Sequence, residues 1–285
     1  MRAIATPALL GESPIRLPGG LVFVDMTVGA VRHLDLNTLA DTAVHVTAGQ
    51  PTYVGAVVEV SGGGFAAVTV DAIVRADGSP APDRIATILR GRGRRRRLND
   101  AAVDPRGRLW VGSVALDVRA GDGALHIWSP ATGVTTVLDG MTLPNGIGWS
   151  PDGTTAYVVD SGPRVLMTAR VDPATGEVGA FSELHRFAGP GEPDGLAVAS
   201  DGTIWVAIWD GARIDRLSPE GDLIESIGVP VTRPTALAFG DDELFVTTAR
   251  HGLTDETLAA EPSAGRVLRL PVSVAGVPSG KLIIQ

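Results

Sequence analysis

The sequence has no cysteine among its 285 residues. That excludes a disulfide framework, a thiolate metal site and a cysteine nucleophile. No apolar run approaches the length of a membrane span, and the N-terminal MRAIATPALLGESP lacks the long apolar core of a secretory signal. Aromatic residues make up only 5% of the chain. Positive charge is not in excess either: the formal net charge is −8, which argues against general nucleic-acid binding. The expectation is a soluble, cytoplasmic chain without nucleic-acid or membrane partners.

Glycine (36) and proline (20) are plentiful, as suits many short strands joined by tight turns rather than long helices. One phrase recurs. It reads RLNDAAVDPRGRLWVGS at residues 97–113, LPNGIGWSPDGTTAYVVDS at residues 143–161 and EPDGLAVASDGTIWVAIWD at residues 192–210. Repeats of this kind fix the architecture before any motif is read. Aligned on the strand after each turn, the repeat centres are Phe23, Phe65, Trp110, Tyr157, Trp205 and Phe245, spaced 42, 45, 47, 48 and 40 residues apart. Six units of this length, each about four short strands, are the size of β-propeller blades. The pattern predicts an all-β, six-bladed propeller forming a single domain over residues 1–285, with residues 50–89 the least regular unit. Later pairs of strands, such as GALHIWSPATGVTTVL, alternate apolar and polar residues as half-buried outer strands do. The N-terminal residues are expected to complete the last blade. One short helix is expected in LTDETLAAEP, capped by Thr254 and stopped by Pro262.

Equivalent positions of a propeller converge on its axis. About 11 residues before each centre stand Glu12, Val54, Asn99, Asp194 and Pro234, and in the Tyr157 unit Asn145 stands 12 before. Four of these six corners offer oxygen donors, and none offers sulfur or imidazole. Such a set favours a hard divalent cation such as Ca²⁺, Mg²⁺ or Mn²⁺. Asn-Gly and Asp-Gly after proline are also ordinary turn formers, so a turn and a ligand both remain open readings of each corner.

The ordered set LLGESP, RLNDAAVDPRGRLWVGS, LPNGIGWSPDGTTAYVVDS, EPDGLAVASDGTIWVAIWDG, RPTALAFGDDELFVTTAR and EPSAGRVLRL resembles the family of gluconolactonases, senescence marker protein (regucalcin) and luciferin-regenerating enzyme. The resemblance spans about residues 10–270. It implies one divalent metal in the axial channel, Ca²⁺ first and Mg²⁺, Mn²⁺, Zn²⁺ or Fe²⁺ also admitted. It implies Glu12, Asn145 and Asp194 as metal ligands, Arg97 and Asn99 as substrate-binding residues, and hydrolysis of a sugar-type lactone. The chemistry suits these residue types. A divalent ion polarises the carbonyl. Asp194 is expected to be the base that takes the water's proton, with attack by metal-bound hydroxide, Asp194 serving only as ligand, as the alternative. Arg97 is expected to stabilise the oxyanion or grip a substrate carboxylate.

Three departures from the family pattern bear on specificity. Arg16 stands where a tryptophan is usual, Ala101 where a glycine is usual, and the loop 114–123 lacks a counterpart of the glutamate that touches sugars. Two alternatives therefore stay open: another enzyme on the same scaffold, such as an organophosphate or bulky-ester hydrolase or a biosynthetic enzyme, and a non-catalytic metal-binding propeller. The basic run RGRGRRRR (residues 90–97) reads as a solvated strand and turn apart from Arg97. No G-x-S-x-G elbow surrounds Ser161, which leaves a serine-hydrolase reading weak. The partner expected is a small-molecule substrate, and the chain a monomer or weak oligomer.

Overall fold

The computed structural model describes residues 1–45, 53–79, 81–89 and 96–285. Most of the basic run, residues 90–95, and the start of the second unit, residues 50–52, lie outside these. The strands form six antiparallel four-stranded sheets. The first strands of the blades are Gly11–Leu17, Ala56–Glu59, Arg96–Val103, Pro144–Trp149, Glu192–Val198 and Pro234–Phe239. Neighbouring first strands touch one another around a closed ring, so they are the innermost strands and line the axis. The last blade closes as expected: Arg2–Ile4 pairs with Val267–Pro271, so the first and last strands of the chain share one sheet. The helix forms over Asp255–Ala260, with Thr254 accepting from the Thr257 amide. Among the described residues no helix is long and apolar enough to cross a membrane.

The repeated aromatic has a packing role. Six buried apolar clusters fill the six gaps between blades. Trp110 meets Trp149 of the next blade edge-on, with centroids 5.4 Å apart, and Trp205 meets Phe239 at 5.7 Å. Each gap is a face-to-face sheet contact, and a large side chain in every unit fills it. The Asp of each turn phrase builds its own turn: Asp104 accepts from the Arg106 and Arg108 amides, Asp152 from Thr154 and Asp201 from Thr203.

The aromatic centres lie on the second strand of each blade, the strand after the turn. One expectation needs correction. The third strand is not uniformly half-buried: Gly123–Ser129 is buried throughout, because adjacent blades cover both its faces, and exposure is confined largely to the fourth strand, Gly133–Met141.

A bulged ring at the channel and its candidate active site

Five of the six innermost strands carry a register shift at the corner. The residues bracketed are Glu12/Ile15, Leu98/Ala101, Pro144/Ile147, Pro193/Leu196 and Pro234/Leu237. A bulge turns a side chain out of the pleat and re-aims it. Here it does so at the same height in blade after blade. Glycine permits the close packing: a Cβ on Gly146 would come within 2.5 Å of the Leu196 amide nitrogen and 2.7 Å of the Asp194 carbonyl oxygen.

Asn99, Asn145 and Asp194 sit inside their bulges, and all three are buried. Glu12, also buried, stands one residue ahead of its bulge, so counting along the sequence places it one step from its true equivalents. The first-blade hairpin turns in two residues between Leu17 and Gly20, while other blades use longer turns, which breaks a fixed offset. In the sixth blade the bulged residue is Thr235 rather than Pro234. Its hydroxyl donates to the Gly11 carbonyl at 2.5 Å, tying the last blade to the first. In the second blade Val54 is packed in the apolar core, and the polar group comes from Tyr53 beside it.

A directed hydrogen-bond chain joins these residues. The Tyr53 hydroxyl donates to Asn99 Oδ1 at 3.2 Å. Asn99 Nδ2 donates to Asn145 Oδ1 at 2.5 Å and to the Pro144 carbonyl at 2.9 Å. Asn145 Nδ2 donates to Ser161 Oγ at 2.8 Å, and Ser161 Oγ donates to the Pro193 carbonyl at 2.6 Å. The chain crosses four blades and fixes which end of each amide faces which neighbour. The Ser161 proton is committed to a backbone carbonyl, which agrees with a residue that is not a nucleophile. Asp160 is scaffold: its carboxylate accepts from the Thr142 and Leu143 amides and holds the turn before Pro144.

The carboxylates are electrostatically crowded. Burial, then the negative charges of Asp194 and Asp100, raise Glu12 well above the usual carboxylate range, against smaller lowering by the Ser13 amide and Arg97. Burial, then Asp100 and Glu192, raise Asp194 likewise. Burial pushes Asp100 to about 6 against the opposing hydrogen bond from the Ala101 amide. Among the described residues no group of three or more histidine, aspartate or glutamate side chains is arranged to hold a metal, so a cation here needs amide oxygen as well. Glu12, Asp194 and Asn145 Oδ1 offer that combination: two buried carboxylates in mutual repulsion and an oriented amide oxygen. Their chemistry fits a hard divalent ion.

The remaining positions resolve as follows. Arg16 lies at the opposite end of the channel, donating to the Gly20 carbonyl at 3.2 Å with its guanidinium 6.0 Å from the Phe245 ring centroid. Its replacement of the usual tryptophan therefore does not touch the acidic cluster. His126 is held by Ser113 and Thr136, and His251 is exposed in a turn. Trp209 stacks with Arg233, whose Cζ is 4.7 Å from the ring centroid, while Arg233 is paired to Asp210. Tyr53, Asp100 and the bridging role of Ser161 are not visible from the repeat offset. The signals available were a tyrosine beside an apolar corner and the second acid of the Asn-Asp pair.

The fold and this ring of bulged polar residues define an axial-site propeller with an acidic channel. The sequence model of the SMP-30/gluconolactonase/LRE-like region matches residues 10–250, and the chain belongs to that family. It is 33% identical over 193 residues to regucalcin from Gallus gallus, covering 64% of each chain. It is 36% identical over 186 residues to 6-deoxy-6-sulfogluconolactonase from Pseudomonas putida, covering 63% of each. The match thus spans less than two thirds of the length of either relative. In structure it is similar to a calcium-binding protein, regucalcin, from Agrobacterium tumefaciens. The TM-score is 0.86 at 27% identity, covering 98% of this chain and 95% of that one.

Proposed function

We propose that this chain is a cation-dependent lactonase that hydrolyses a small cyclic ester, with Glu12, Asn145 and Asp194 holding the ion. One observation carries the reading: buried Glu12 and Asp194 repel the charges around them, and only Arg97 among the described side chains offsets the charge on Glu12. Two ionised carboxylates in such a place need a cation. Ca²⁺ leads, since the regucalcin of known structure is described as calcium-binding. Family membership and relatives that include a 6-deoxy-6-sulfogluconolactonase support the reaction class.

A bound divalent ion would supply Lewis-acid polarisation of the ester carbonyl. The chain's own groups do the rest. Asp194 takes the proton of the attacking water. Asn145 is oriented by Ser161 Oγ, which accepts from its Nδ2, while its Oδ1 accepts from Asn99 Nδ2. Arg97 and Asn99 bind the substrate beside the ion, from the blade next to that of Asn145.

Elemental analysis of freshly purified protein, paired with a lactone-hydrolysis screen before and after chelation, tests the proposal. About one equivalent of a divalent metal and chelator-sensitive turnover are expected. A metal content near zero, or full turnover after rigorous chelation, would overturn it.

A further inference from the structure

The polar group that the second blade brings to the channel has a specific relation to Arg97. The Arg97 Cζ lies 4.7 Å from the Tyr53 ring centroid, a cation–π distance. Arg97 Nη1 donates to the Tyr53 hydroxyl and to Asn99 Oδ1, and to the Leu98 carbonyl at 3.2 Å. Burial, the largest influence, raises the phenol's pKa above its ordinary value, so it remains a neutral partner. Nη1 is therefore fully engaged. No described residue accepts from Nε or Nη2, and no described carboxylate pairs with Arg97, whereas Arg32, Arg108, Arg213 and Arg233 each hold one.

A guanidinium fixed at one corner keeps two parallel N–H donors along its opposite edge. That edge matches the two oxygens of an oxyacid, and no described carboxylate is in ion-pair contact with it, Glu12 feeling its charge only at longer range. We propose that Tyr53 is a positioning residue that presents Arg97 as a receptor for an anionic oxyacid group, so that the preferred cyclic ester carries such a group beside its lactone carbonyl. This rests on the lactonase reading above. It assigns Tyr53 a task that its neighbour Val54, packed in the core, does not share.

The test is a matched pair of substrates: a neutral hexonolactone, and the hexarolactone with an exocyclic carboxylate in place of the hydroxymethyl group. The wild-type protein is expected to favour the hexarolactone in kcat/KM by about tenfold or more, the scale of a charge-assisted bidentate contact. Arg97→Gln brings that ratio near one. Tyr53→Phe keeps the ring and loses the hydroxyl, and it raises KM for the hexarolactone several-fold more than for the neutral lactone. A wild-type enzyme indifferent to the carboxylate, or R97Q lowering both substrates equally, overturns the oxyacid receptor while the lactonase reading stands. Y53F shifting both substrates equally overturns the positioning role. If neither lactone is turned over, the hydrolytic reading falls, and calorimetry with the hexarolactone in excess Ca²⁺ decides the inference. Binding that is lost in R97Q supports it; no binding, or binding unchanged in R97Q, overturns it.

Discussion

The two ends of the channel are made from the same six strands and differ in almost every property. Toward the start of five innermost strands lie the bulges, with Asn99, Asn145 and Asp194 inside theirs and Glu12 one residue ahead of its own. Beyond them the strands resume regular pairing, and the walls become apolar: Ile15, Val103, Ile147, Leu196, Val198 and Leu237. That end holds a cavity of about 510 Å³ and is spanned by the C-terminal segment. There Ala199 bridges Gly276, Val60 bridges Leu282, and the Ile283 amide donates to the Gly107 carbonyl. The C-terminal end is a mainly apolar chamber that also carries Arg16, Glu59, Asp241 and Lys281 in its lining, and the bulged end holds the buried acids Glu12 and Asp194, with Asp100 bordering both. A one-residue insertion in a strand is enough to re-aim a wall position.

The sharpest way to break this contrast is to alter one residue at each end of the same strand. Asp194→Asn keeps shape and removes the proposed base. A fall in kcat/KM of at least about 100-fold is expected in steady-state lactone assays. Val198→Ala, four residues on and buried in the gap between the fourth and fifth blades, should leave kcat/KM within about twofold and cost about 1–2 kcal/mol in denaturant unfolding. Comparable losses of activity in both variants would show that the apolar end belongs to the site.

The next effect is on stability and has a definite sign with pH. Glu12, Asp194 and Asp100 have folded-state pKa values above their ordinary ones, Asp100 reaching about 6. In the cation-free protein such groups contribute stability that is fully present below the unfolded pKa and is lost as pH rises through the folded pKa. A divalent ion needs the ionised forms, so its stabilisation grows across the same window. Saturating Ca²⁺ is expected to raise Tm by about 5–10 °C near pH 7.5, and by clearly less near pH 5, in scanning calorimetry. An equal gain at both values would detach ion binding from these carboxylates.

A finer test concerns the hydrogen-bond chain. Ser161→Ala leaves Asn145 Nδ2 without its acceptor and frees the amide to turn its oxygen away. Supporting contacts of this kind are worth about 10–100-fold in metal affinity. Calorimetric titration with Ca²⁺ should show a loss of about tenfold, with Ser161→Thr recovering part of it. Unchanged affinity in the alanine variant would mean that Asn145 is oriented by Asn99 alone.

How far this architecture was legible in the sequence follows from which signals are local. The six aromatic centres all fall on strands because each unit must fill one gap between blades, and that demand repeats with the unit. Thr254 and the closing N-terminal strand obey rules that need only neighbouring residues or pairing partners. The site was legible where turn lengths are equal, as at Asn99 and Asp194. It was displaced where they are not, as at Glu12 and Pro234, because a bulge is a property of pairing between two strands and leaves no fixed spacing in either. Tyr53 escaped for a related reason: its role depends on Arg97 in the next blade. The seal formed by residues 275–283 has no repeat to announce it.

That seal gives the smallest expected effect on activity and the finest test of the contrast. Removing residues 275–285 withdraws Leu282, which is fully buried between the second and third blades, together with its backbone bonds to Glu59 and Ser61. Lost burial of this size costs about 2–4 kcal/mol, readable as a lower denaturant midpoint. A point change makes the same intervention without shortening the chain. A Cβ on Gly280 would stand 2.4 Å from the Asp104 carbonyl oxygen, so Gly280→Ala must lift the segment locally. If the acidic end is self-sufficient, both variants keep kcat/KM within about twofold while stability falls, since no bond in the Tyr53–Asn99–Asn145–Ser161 chain involves the C-terminal segment. A large loss of turnover in a folded truncation would instead mean that opening the apolar chamber admits water to Asp100, and through its charge alters Glu12 and Asp194. The two ends would then be one electrostatic unit joined at that residue.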